Sequence, residues 1–214
     1  MKKLLLLLLL TMPARASVID NEKSLTVLIE NYEMGGAGLG TGVLLDPTHV
    51  LTCFHMVRTP KDDLMVFTYP LGRVVKARIE GADQSNDLMV LVLESSVTVK
   101  VPPVFVNKYT IGEPITVIGN ALGGMHWFVT KGVISEESQG FLLTDALINP
   151  GNSGGPWFNE KGEIVALTDW RIGPGDHYPG MAGGISATTI NRMLDMRAQQ
   201  MDAQFLLKIL QGDK

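Results

Sequence analysis

Residues 141–158 read FLLTDALINPGNSGGPWF, and at their centre stands the hexapeptide Gly151-Asn152-Ser153-Gly154-Gly155-Pro156. Glycines on both sides of one serine, closed by a proline, let the backbone make a tight turn that few other residues permit. Such a turn presents a single hydroxyl with backbone amides converging beside it, those of Gly151 and Ser153 above all. A nucleophilic serine needs this arrangement, since a base must reach its proton and fixed N–H donors must meet the developing oxyanion. A bare Ser-Gly-Gly is also an ordinary hairpin loop. The chemical reading therefore requires a base and an orienting acid elsewhere in the chain, on a scaffold that brings them to this turn.

The scaffold is legible as short strands separated by Gly, Pro, Asp and Asn clusters. Segments 24–31, 42–45, 49–53, 64–69, 74–80 and 88–93 are rich in Val, Leu, Ile and Thr and predict six strands. After Pro102-Pro103 a second set follows at 115–118, 127–134, 141–144, 156–158, 164–169 and 180–186. Six strands suit one closed antiparallel barrel, so the expected fold class is all-β, two six-stranded barrels in sequence. Barrel one is expected at about 17–96 and barrel two at about 103–187. Ile190, Leu194, Ala198, Met201, Phe205 and Ile209 then recur at helical spacing, predicting a C-terminal α-helix over about 188–211.

The segment TDALINPGNSGGP resembles the active-serine run of trypsin-like serine peptidases, and specifically the TDA-x-IN-x-GNSGGP pattern of the HtrA/Deg branch. Two upstream motifs extend the resemblance. VLTCFHMV, residues 50–57, resembles the family's V-L-T-x-x-H segment, with Phe54 at a place more often small or polar. SNDLMVLVLE, residues 85–94, resembles its Asp-plus-hydrophobic-strand segment, with Met89 where alanine is common. The order His55, Asp87, Ser153 is that of the trypsin fold and not of the α/β-hydrolases.

The resemblance implies a catalytic triad in which Ser153 attacks the peptide carbonyl, His55 is general base and then acid, and Asp87 orients His55. It also implies an oxyanion hole built from the amides of Gly151, Asn152 and Ser153. Asp83 competes with Asp87 for the orienting role; Asp87 abuts the apolar run, where a partly buried carboxylate can hold one imidazole tautomer. His49, His126 and His177 have no comparable context and read as surface or loop residues. The glycine cluster at 35–42 lacks both Gly-x-Gly-x-x-Gly and a P-loop lysine, which argues against phosphate binding. Its Gly40-Thr41-Gly42-Val43 tail resembles the small-residue strand that the family places before its histidine.

Substrate-binding surface is expected from Leu147 and Ile148 beside the serine and from Gly184 and Ile185 on the closing strand. These are small and apolar and imply a medium aliphatic side chain on the acyl side of the scissile bond. Asp169 would favour Lys or Arg instead if it points into the same space. Asn152 stands where chymotrypsin-like members usually carry Asp, and a neutral amide cannot pair with the new N-terminus that activates zymogens of that kind. No pro-segment cleavage beyond leader removal is therefore expected.

Lys2 and Lys3 followed by seven leucines and then Ala14-Arg15-Ala16 describe a signal peptide at 1–16, cut near Ala16, with the peptidase domain at 17–214. A retained anchor is the rival, although so short an apolar run falls below the ~20 residues that span a bilayer. A secreted or periplasmic location follows. With 18 basic against 22 acidic residues and no basic run, the composition argues against nucleic acid as a partner, while the resemblance implies protein or peptide substrates. The single cysteine, Cys53, allows no internal disulfide and reads as a small buried filler. No metal site or cofactor is expected, because no cysteine and histidine cluster has ligand spacing in the chain. After the last strand no room remains for a PDZ domain of the kind that larger members carry. The alternative reading from another class is a protease-fold binding module that has lost its activity.

Overall fold

The computed structural model describes residues 15–33, 36–57, 63–121, 124–169 and 181–211. The leader up to residue 14, His177, and the start of one expected strand at Gly180 lie outside them.

Strands β1 (Thr26–Glu33), β2 (Gly36–Leu44), β3 (His49–Cys53), β4 (Asp63–Phe67), β5 (Val74–Asp83) and β6 (Leu88–Leu93) close into one antiparallel barrel in the order β1-β2-β3-β6-β5-β4. A second closed barrel, ordered β10-β11-β12-β9-β8-β7, is built from β7 (Pro114–Gly119), β8 (Phe128–Ser138), β9 (Phe141–Thr144), β10 (Pro156–Phe158), β11 (Ile164–Asp169) and β12 (Ala182–Ser186). Closure leaves neither sheet with an unpaired edge. The all-β, two-barrel expectation holds, and a helix, α2 (Ala187–Gln211), follows the last strand.

Two local features depart from the sequence reading. A helix, α1 (Arg15–Leu25), precedes the first strand and contains the expected cleavage point. Its end is held by back-bonding hydroxyls, Ser24 Oγ to the Asn21 carbonyl at 2.7 Å and Thr26 Oγ1 to the Glu22 carbonyl at 2.9 Å. Such short-range bonds carry no apolar periodicity and so escape a pattern search. The second strand, expected at 42–45, begins at Gly36 inside the glycine cluster and pairs with the whole of β1. Close approach explains its composition: a Cβ at Gly40 would lie 2.1 Å from the Met56 methyl, and one at Gly42 2.7 Å from a Val50 methyl.

The barrels meet through one continuous apolar cluster. Val43, Leu51, Cys53, Leu88 and Val90 from the first barrel pack with Ile118, Phe158, Ile164, Leu167 and Ile185 from the second, and Ile190 and Met193 of α2 complete it. The helix also reaches the first barrel, through an ion pair between Arg197 and Glu80. The junction of the two barrels is thereby fixed by burial on both sides, and the residues of the proposed chemistry stand along its edge.

Candidate active site

β3 pairs antiparallel with β6 so that Cys53 faces Leu88 across the ladder. Two residues beyond Cys53, His55 sits in a single 3₁₀ turn, Phe54–Met56; one residue before Leu88 stands Asp87. The register alone therefore brings the imidazole and the carboxylate together. His55 Nδ1 and Asp87 Oδ2 are 2.5 Å apart, and the His55 backbone N–H donates to Asp87 Oδ1 at 2.9 Å. The Phe54 N–H donates to the Asp87 carbonyl at 2.9 Å, so the acid is gripped at three points. Asp87 is only 5% exposed and adopts φ 54°, a left-handed conformation that costs energy outside glycine and recurs at functional sites.

Asp83 is committed elsewhere. Its carboxylate accepts from the Ser85 hydroxyl at 2.6 Å, from the Asn86 side-chain amide at 2.6 Å, and from the backbone N–H groups of both residues. Burial alone would raise its pKa, but these bonds outweigh burial and hold the carboxyl below the usual aspartate value. Asp83 thus shapes the turn that delivers Asp87.

The serine turn is locked from several sides. Gly151 has φ +100°, and a Cβ there would fall 2.2 Å from the Asn120 carbonyl, so glycine alone fits. The Asn152 N–H donates to the Asn149 carbonyl at 3.0 Å, and the Gly155 N–H to the Asn152 carbonyl at 2.8 Å. This corrects the expectation that Asn152 contributes an oxyanion donor: its amide is spent inside the turn. Among the described residues the Gly151 and Ser153 amides donate no hydrogen bond, and the Ser153 hydroxyl has no partner.

The turn is tied to the first barrel. The Thr41 N–H donates to the Ser153 carbonyl at 2.9 Å, while Gly154 lies against the Cys53 amide and Thr52 Oγ1. Those contacts set Ser153 beside the His55 end of β3. Thr41 Oγ1, fully buried, donates to the Gly151 carbonyl at 2.7 Å and accepts from the Asn120 N–H at 2.9 Å. Sequence reading placed Thr41 in a recognisable segment but missed this role, because the bonds span 79 and 110 positions. The side chain of Asn152 is buried, and its Oδ1 accepts no hydrogen bond among the described residues.

The expected substrate wall is only partly assembled. Leu147 is 65% exposed beside the turn and free to meet a ligand, whereas Ile148 is buried in the second barrel's own core with Trp157. Ile185 is fully buried in the cluster between the barrels, so it cannot line the wall as expected. Gly184 pairs with Thr168 and leaves room for the Trp157 ring, which a Cβ would approach to 2.8 Å. Asp169 is 2% exposed. Its neighbour Thr168 accepts the Trp157 indole N–H at 2.9 Å within the second barrel.

One set of candidate metal-ligand atoms occurs among the described residues: Cys53, His55 and Asp87 lie within 4.8 Å of one another. The group coincides with the His–Asp pair and is invisible in sequence because Asp87 stands 32 positions beyond His55.

Two closed six-stranded barrels, with an Asp-bound imidazole and a glycine-framed serine at their junction, define the class of trypsin-fold serine hydrolases. Consistent with that, residues 40–167 match the family described as "Trypsin-like peptidase domain", and the chain belongs to this family. Among curated proteins it is 28% identical over 172 residues to "Serine endoprotease DegS" of Haemophilus influenzae, covering 75% of this chain and 50% of that one. It is 33% identical over 138 residues to a "Probable periplasmic serine endoprotease DegP-like" of Pseudomonas savastanoi, covering 60% and 28% respectively. The crystal structure of the serine endoprotease from Yersinia pestis superposes with a TM-score of 0.75 at 27% identity, covering 86% of this chain and 66% of that one. The resemblance to the HtrA/Deg branch is thereby borne out, and the chain spans half or less of the length of these two curated relatives.

Proposed function

We propose that the chain is an exported serine endopeptidase that cleaves protein or peptide substrates through His55, Asp87 and Ser153. The observation that carries this reading is the double hold of Asp87 on His55, through both the ring Nδ1 and the backbone N–H, at the barrel junction where the serine turn is anchored. Held with Nδ1–H toward the carboxylate, the imidazole leaves Nε2 to take the Ser153 proton. Ser153 Oγ bonds to the carbonyl carbon, and the resulting oxyanion is received by the amides of Gly151 and Ser153. His55 then gives its proton to the amine as the C–N bond breaks. A water deprotonated by His55 releases the acyl group and restores the serine.

Export is supported by the leucine-rich leader and by the periplasmic naming of a relative. Exposed Leu147 beside the serine turn and the burial of Asp169 favour an aliphatic acyl-side residue. Digestion of a peptide library should yield cleavage after Val, Leu, Ile or Ala. Cleavage concentrated after Lys or Arg would overturn the specificity, and an intact library would favour the binding-module reading.

A further inference from the structure

On the other flank of the serine turn from β11 lies an open groove of about 550 Å³, lined by Lys23 of α1, the turn Tyr69, Pro70 and Leu71 between β4 and β5, and Met125, His126, Trp127 and Phe128 leading into β8. The proposed mechanism leaves it unused. We propose that this groove is a docking site for an apolar segment of the substrate downstream of the scissile bond, a reading that rests on the proposed endopeptidase function.

Three observations carry the assignment. The lining is aromatic and aliphatic, and Leu71 and Phe128 remain 58% and 38% exposed at its rim, so an apolar chain laid in the groove would bury surface that is now open to water. The aromatic walls are braced: Trp127 donates its indole N–H to the Thr26 carbonyl at 2.8 Å and meets the Tyr69 ring edge-on at 5.3 Å, while Phe128 meets His126 edge-on at 5.8 Å. A groove held open in this way spends little ordering entropy on binding.

The groove is also continuous with the reaction centre. The His126 N–H donates to Asn120 Oδ1 at 3.3 Å, the Asn120 N–H donates to Thr41 Oγ1, and Thr41 Oγ1 donates to the Gly151 carbonyl. A chain leaving the serine turn away from β11 and β12, which wall the acyl side, runs toward His126. That direction belongs to the leaving-group half of the substrate. At the charged end of the groove the Lys23 ammonium stands over the Tyr69 ring at 5.4 Å and the Asp20 carboxylate accepts from the Tyr69 hydroxyl at 3.2 Å, so the charges offset each other and the remaining lining selects for apolar side chains.

The test compares two fluorogenic peptides with the same aliphatic acyl side, one ending two residues past the scissile bond and one extended by six further residues bearing Leu and Phe. The extended peptide should be cleaved with kcat/KM at least 10-fold higher, and the Leu71→Asp/Phe128→Asp double variant should bring the ratio to near unity. Equal cleavage by the wild type, or a ratio that survives the double variant, would overturn the proposal. Binding of the labelled extension alone to Ser153→Ala, followed by fluorescence anisotropy and abolished by the same double substitution, supports the groove independently of turnover. Conversion of a wild-type dimer to monomer by the double variant would reassign the face to contact between copies and refute it. If neither peptide is hydrolysed, the endopeptidase reading fails, whereas unequal effects on the two peptides bear on the groove alone.

Discussion

Replacing Thr41 with valine isolates the part that the first barrel plays in shaping the oxyanion site. The two side chains are nearly isosteric, so packing at this fully buried position changes little. What disappears is a hydroxyl that donates to the Gly151 carbonyl at 2.7 Å and accepts from the Asn120 N–H at 2.9 Å. Both backbone groups then lose a partner, each at a cost of about 1–3 kcal/mol. A combined loss of about 3 kcal/mol lowers Tm on the order of 10 °C for a chain of this size. The catalytic consequence is separable. With the Gly151–Asn152 peptide no longer held, the neighbouring donors lose their aim, and kcat should fall about 10- to 100-fold, short of the 10²- to 10³-fold that follows outright removal of an oxyanion donor. KM should stay within about twofold, because the acyl-side wall is untouched. Calorimetry and steady-state cleavage of one aliphatic peptide read both quantities, and Thr41→Ser, which restores the hydroxyl, should recover most of kcat. A valine variant that melts early yet turns over at the wild-type rate would refute the reasoning.

Asp87→Asn should lower kcat about 10⁴-fold, because the imidazole tautomer is no longer held, whereas Asp83→Asn should leave kcat near wild type; the reverse pattern in the same peptide assay would reassign the orienting acid. Glu22 supplies a pH-dependent prediction: burial, opposed in part by Lys131, pushes its carboxyl from 4.5 up to about 7 in the folded state. The folded chain therefore binds this proton more tightly than the unfolded one, and the associated stability, full below about pH 4.5, is lost as pH rises through 7. Glu22→Gln should accordingly melt close to wild type at pH 5 and higher at pH 8, by at most about 3 kcal/mol, and equal Tm differences at the two pH values would exclude the effect. Residues 17–214 carrying an extra N-terminal methionine should match the activity of the form that begins at Ser17, since the buried amide of Asn152 has no charge to pair with a new N-terminus; activity that appears only after trimming would contradict this.

The parts legible in the sequence were those written in local patterns. Alternating apolar runs and their punctuation gave the strands of both barrels, and short motifs singled out Ser153 together with His55 and Asp87, two residues that strand register then brings to 2.5 Å. What escaped depends on partners far along the chain. The strand character of Gly36–Leu44 arises because Met56 and Val50 occupy the space where side chains would stand. The bond of the Asn152 amide to Asn149, which removes it from the oxyanion set, depends on the fold of one turn rather than on residue type. Ile185 and Leu147 look alike in composition, yet strand register buries the first between the barrels, whereas the second stands exposed in the loop after β9. Helix α1 went unseen because its end is secured by hydroxyls rather than by an apolar stripe.

The central claim is that Ser153 is an activated nucleophile, and reaction with a fluorophosphonate probe tests it most directly. Wild-type protein at neutral pH should label to near one equivalent, with the adduct mapped by mass spectrometry to the peptide containing Ser153. Labelling should vanish in Ser153→Ala and slow by orders of magnitude in His55→Ala. Folded wild-type protein that stays unlabelled, or that labels no faster than the His55→Ala variant, would contradict the account.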